Sequence, residues 1–116
     1  MATNAGRDAA RARLEDLSVD YLETPGVDWG RMFGTTGLRI RGKVFAVAAH
    51  AGGLLIKVPE AHADALVEAG DASRMVMGGR PRREWVLVPN DAGDETWAVQ
   101  LREAYTYVDS ITPSVT

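Results

Sequence analysis

The sequence predicts one α+β domain: an antiparallel sheet with helices on one face, in the order α-βββ-α-β-α. Three observations carry that prediction. The chain has 116 residues, 46% hydrophobic and 25% charged, which suits one core and is too short for two. Apolar side chains near both ends recur at helical spacing. Between Leu38 and Val58 the period falls to two, and turn residues interrupt it.

Each element has a local reason. From Asp8 to Tyr21, the residues Ala10, Leu14, Leu17 and Tyr21 form one stripe, with Arg11, Glu15 and Asp16 outside it. Thr24-Pro25-Gly26 ends this helix, because proline lacks the donor needed to continue it. Leu38 and Ile40 alternate with Arg39 and Arg41, the pattern of a strand with one wet face. Gly42-Lys43 forms a tight turn, Val44 to Ala49 a more buried strand, Gly52-Gly53 a second turn, and Leu54 to Val58 a third strand. Pro59 fits the first position of a short helix striped by Ala63, Leu66 and Val67 and closed by Gly70.

Asp71 to Arg83 is the least regular stretch, with Gly78-Gly79 and Pro81 as breakers. Trp85 to Val88 reads as the fourth strand. Asp94 is a suitable N-cap for a last helix whose face carries Trp97, Leu101, Ala104, Tyr105 and Val108. The pattern places Trp85 and Trp97 in the core; Trp29, in the loop before Arg31, is expected over a core edge, with a surface anchor as the alternative. One domain over residues 1–116 is expected, ordered from about 8 to 110, with the tail 112–116 frayed.

Several chemistries lack their residues. The absence of cysteine removes disulfides, thiol nucleophiles and thiolate metal sites. His50 and His62 alone cannot complete a metal site, and Asp64 points away from His62 on a helix. Ser18, Ser73, Thr35 and Thr36 sit in no nucleophile context. Gly34-Thr35-Thr36-Gly37 lacks the spacing and following helix of a phosphate loop and reads as a turn between strands. The reading therefore leans away from an enzyme and expects neither cofactor nor metal. The first residues lack the apolar core of a secretory signal, and no apolar run is long enough to span a bilayer. A soluble, cytoplasmic protein is the expectation.

Charge is unevenly distributed. Residues 1–30 carry 3 basic and 6 acidic side chains, residues 31–83 carry 9 and 4, and residues 84–116 carry 1 and 6. The overall −3 thus conceals segments of −3, +5 and −5. Arg31, Arg39, Arg41, Lys43, Arg80, Arg82 and Arg83 form the candidate face for a partner or a nucleic acid. The alternatives are phosphate contacts, docking of an acidic protein, and pairing with the acidic helices of the same molecule.

Gly30-Arg31-Met32-Phe33-Gly34, then Gly37-Leu38-Arg39 and Gly42-Lys43-Val44-Phe45-Ala46, resemble the opening sheet of the TfoX/Sxy N-terminal domain family. Leu54 to Val58 and Gly79-Arg80-Pro81 with Glu84-Trp85-Val86 keep the family's order. Pro25-Gly26-Val27 and the closing helix with Tyr105 are similar to the related MmcQ/YjbR proteins. The similarity covers about Leu14 to Val108. On this reading Met32 and Phe33 enter the core from a first short strand, and glycines 34 and 37 turn the chain.

The resemblance implies a small bacterial α+β protein and carries over no catalytic residue. The family's namesakes regulate natural competence through transcription and have a second, C-terminal domain; the residues here match the first. The expectation is a stand-alone, non-enzymatic regulatory or interaction module. The alternatives are a DNA-binding regulator using the basic sheet face, and a small-ligand binder or enzyme with a pocket between sheet and helices.

Overall fold

A computed structural model describes residues 5–32 and 35–113. The elements are α1 (Ala5–Leu17), α2 (Val19–Leu22), β1 (Val27–Met32), β2 (Thr35–Ile40), β3 (Lys43–Ala48), β4 (Leu54–Lys57), α3 (Glu60–Glu68), β5 (Ser73–Met77), β6 (Arg80–Val88) and α4 (Asp94–Ile111). The strands form a six-stranded sheet in the order β1-β2-β3-β4-β6-β5. Every neighbouring pair is antiparallel.

The α+β class holds, with two strands more than the expected order contained. β1 and β5 are the sheet's edges, where a strand needs only one ladder and a short, broken apolar pattern suffices. The expected phosphate-like turn is mostly strand: Thr35, Thr36 and Gly37 lie in β2, while Phe33 and Gly34 fall outside the described residues. Gly37 therefore does not turn the chain. It pairs with Gly30 across the β1–β2 ladder. A Cβ on Gly37 would stand 2.7 Å from the Ala46 carbonyl oxygen, so close strand approach requires a glycine there. The stretch 71–83, expected to be irregular, is largely the β5–β6 hairpin.

The single N-terminal helix divides at Ser18. Its buried hydroxyl donates to the Glu15 carbonyl at 2.9 Å, giving the backbone a local alternative to continued helix. Ala10 and Leu14 are buried, and Leu17 and Tyr21 pack against the same core, as the stripe predicted. That core also receives Ala63 and Leu66 from α3 and Trp97, Leu101, Ala104 and Val108 from α4. The sheet contributes Leu38, Ile40, Phe45, Ala46, Ala48, Leu54, Ile56, Val58, Val86 and Val88. All three longer helices thus cover one face.

β3 carries a bulge. Leu38 pairs with Ala46 and Arg39 with Val44, leaving Phe45 as the extra residue. Phe45 and Ala46 consequently both join the helix-side core, where strict alternation would send them to opposite faces. Phe45 meets the rings of Tyr21 and Tyr105 at centroid distances of 6.2 and 5.5 Å.

The other face has its own apolar cluster: Val47, Ala49, Leu55 and Trp85, with Met32, Val44, Met75 and Leu87 against it. Trp85 is buried as expected, but here and not among the helices. Among the described residues, no helical residue contributes to this cluster, yet Val47 is fully buried. The reason is curvature. Met32 at the end of β1 lines one cleft with Met77, Arg82 and Trp85 of the β5–β6 hairpin. In a flat sheet of this order the two edges would stand over 20 Å apart, at about 4.8 Å per strand. The sheet curls and shelters its second face, and Met32 enters this cluster in place of the expected core.

At the end of the chain, Thr112 is buried and donates to the Val108 carbonyl at 2.6 Å. Arg41 holds the carbonyls of Thr112 and Pro113 at 2.7 and 3.0 Å. Of the tail expected to fray, these two residues are tied down and 114–116 lie outside the described residues. Among the described residues, no helix is long and apolar enough to cross a membrane.

Candidate functional site

The seven candidate basic residues divide into three groups. Arg39 and Arg41 are occupied within the molecule. Arg39 crosses from β2 to β1 and grips Asp28 with two bonds, Nε to Oδ1 at 2.6 Å and Nη2 to Oδ2 at 3.0 Å. Its arm lies over Gly30, where a Cβ would stand 2.6 Å from the Arg39 Cδ. This hydrogen bond holds the Asp28 carboxyl below, and the Arg39 guanidinium above, its ordinary range.

Arg41 occupies the β2–β3 turn with φ 49° and is followed by Gly42 at φ 85°. Positive φ at both central residues suits the twist of a two-residue hairpin. It also takes the Arg41 side chain out of the strand's alternation, towards the end of α4. There the guanidinium donates to the carbonyls of Asp109 and Thr112 and meets the Asp109 carboxylate at 2.9 Å. Cations are favoured where a helix leaves its last carbonyls unpaired. The wet strand face expected to carry both arginines is therefore mostly spent on holding the fold.

Arg80, Arg82 and Arg83 are brought together. With Arg74, Glu60 and Pro81 they line an open groove of about 640 Å³ on the β5–β6 hairpin. The hairpin ladder explains the clustering. Arg74 pairs with Val86 and Val76 with Pro81, so Met75 alone faces the four residues from Arg82 to Trp85. The β6 chain bows out at its arginines. Arg74 fills the gap by donating to the Arg83 carbonyl, and it is steadied by Asp64 of α3.

Glu60 reaches Arg83 only at 4.0 Å, and the Arg83 side chain is 83% exposed. An ion pair that long and wet contributes little. Among the described residues, the Arg80 and Arg82 side chains have no hydrogen-bond or ion-pair partner, although the Arg82 carbonyl accepts from Arg74 at 3.5 Å. Glu84 faces the helices, where it accepts from the Tyr107 hydroxyl and lies 3.9 Å from Lys57. That hydrogen bond raises the Tyr107 phenol above its ordinary value. Arg31 and Lys43 are exposed at the end of β1 and the start of β3, and neither lines this groove.

Arg74 belongs to the basic segment 31–83 but is not among the seven candidates. Its signal was position: one arginine on the partner strand of a hairpin carrying three more. The catalytic candidates do not converge. The Arg7 guanidinium lies 3.4 Å from the His50 ring, and His62 bonds Gln100 at 2.8 Å. Ser18 is taken up by its own helix. Among the described residues, no group of three His, Asp or Glu side chains could hold a metal ion.

Comparison with curated proteins gives no match. The model of the TfoX N-terminal domain family matches residues 22–107. That span begins at the end of α2, includes the whole sheet and ends within α4. It contains both the Arg39–Asp28 hairpin and the arginine groove, and on it the chain belongs to the TfoX N-terminal domain family.

Proposed function

We propose that this chain is a non-enzymatic regulatory or interaction module whose β5–β6 groove receives an acidic segment of a protein partner in the bacterial cytoplasm. The observation that carries this reading is the convergence of Arg80, Arg82 and Arg83 in one groove with a single loosely held carboxylate, Glu60, and with Arg74, itself paired to Asp64, behind them. Arginine forks suit carboxylates, and a concave cationic site focuses the field on an incoming anion. An extended polyanion is less well served. The chain is −3 overall and −5 over residues 84–116, so a long duplex would meet repulsion beyond the groove.

Titration with a fluorescent oligoglutamate peptide tests this reading, with duplex DNA in parallel at low and moderate salt. The expected result is saturable peptide binding that the double variant R80E/R82E abolishes, with weaker DNA binding. No peptide binding at low salt would sink the proposal. Tighter, steeply salt-dependent binding of duplex DNA would replace it with the nucleic-acid reading.

A further inference from the structure

The arginine groove does not end at its arginines. A depression of about 340 Å³ shares Glu60, Arg82 and Arg83 with it and reaches Lys57, Glu84 and Trp85. A cleft of about 290 Å³ then shares Arg82 and Trp85 with that depression and is closed by Met32 and Met77. Arg82 lines all three. A cationic groove therefore runs into an apolar cleft, with one arginine at the junction.

The cleft is suited to a single side chain. Its volume lies just below the roughly 300–1,000 Å³ common for small-molecule sites. Two methionines and an indole give it adaptable thioether walls and one flat face. Arg82 has an aliphatic stem for the cleft and a charged head for the groove. Beneath lies the second apolar cluster, which includes Met32 and Trp85. A side chain entering the cleft would extend a core that already exists.

We infer that the acidic segment carries a bulky apolar residue, aromatic or leucine, flanked by carboxylates. The apolar side chain sits between Met32, Met77 and Trp85, and the carboxylates lie on Arg80, Arg82 and Arg83. This inference rests on the groove reading and adds selectivity to it. Arginines attract any acidic segment; the cleft distinguishes those with an apolar anchor at the right place.

The test compares a labelled oligoglutamate peptide with the same peptide bearing one central phenylalanine, using fluorescence anisotropy. The phenylalanine peptide is expected to bind about tenfold more tightly, equivalent to roughly 1.4 kcal/mol. Met77→Ser and Met32→Ser, each checked for an intact melting transition, are expected to remove that gain. On the unmodified protein, the methyl resonances of Met32 and Met77 should shift with the phenylalanine peptide and far less with oligoglutamate. Equal affinity for the two peptides overturns the inference and leaves the groove reading standing. A gain that survives both serine variants, or unmoved methionine methyls, also overturns it. Failure of both peptides to bind overturns the groove reading itself.

Discussion

Arg41 holds Asp109 twice: its Nη2 lies 2.9 Å from the backbone carbonyl and 2.9 Å from the carboxylate Oδ1. A turn between two strands thereby closes the last turn of a helix 68 residues further along the chain. Hydrogen bonds from a charged donor contribute about 1.5–3 kcal/mol each when their acceptors are otherwise left bare. Solvent access reduces that here, because Asp109 is 42% exposed. Arg41→Ala is expected to destabilise by roughly 1–2 kcal/mol in urea unfolding. A midpoint equal to that of the unmodified protein would show that the cap contributes nothing.

The Asp28–Arg39 pair predicts a pH dependence. Asp28 titrates below its ordinary value in the folded state because Arg39 hydrogen-bonds to its charged form. Its contribution is therefore complete above the unfolded value of about 4, and it is lost as pH falls through the lowered folded value. Thermal melts of the unmodified protein and Asp28→Asn should differ at neutral pH and converge in acid. A gap that does not narrow as pH falls below about 4 would assign the effect to something other than this ionisation.

Phe45 is the extra residue of the β3 bulge and is fully buried between Tyr21 and Tyr105. Phe45→Ala should destabilise by about 3–5 kcal/mol, the cost of a large truncation in a packed core. Denaturant unfolding measures it, and a loss under about 1 kcal/mol would mean that the bulge does not point this ring inward.

Arg74 braces the bowed part of β6. Arg74→Ala should accelerate backbone hydrogen exchange across residues 80–86 while leaving β3 protected, since β3 belongs to a separate ladder. Peptide-level exchange mass spectrometry resolves the two. Equal protection across residues 80–86 in variant and parent would mean that the bow holds its shape without Arg74.

The sequence made some of this plain. Val44 to Ala49 and Leu54 to Val58 show as strands because dense apolar runs bounded by Gly42, the Gly52-Gly53 pair and Pro59 have few other solutions. β1 and β5 were harder. Val27-Asp28-Trp29-Gly30-Arg31-Met32 mixes a core residue, a charge pair and a glycine, and only the resemblance marked a strand near Met32. Arg39 and Arg41 were placed on a wet face by their alternation with Leu38 and Ile40. Alternation can assign a side of a strand, but it says nothing of Asp28 or Asp109, which are neighbours only after folding. The groove was half visible: Arg80, Arg82 and Arg83 stood out as charge, whereas the ladder irregularity that gathers them with Arg74 arises from pairing.

The curl that brings Met32 towards Met77 has a consequence for life at high protein concentration. A six-stranded open sheet has two free edges, each a row of unpaired amides on which another copy could grow. Here both edge strands bend out of the plane that stacking requires, and charged or polar residues stand on them: Asp28 and Arg31 within β1, Ser73 and Arg74 at the start of β5. Flattening the sheet would expose Val47, Leu55 and Trp85 while straightening those edges. The same bend that shapes the cleft also takes both edges out of the plane in which strands of successive copies would stack.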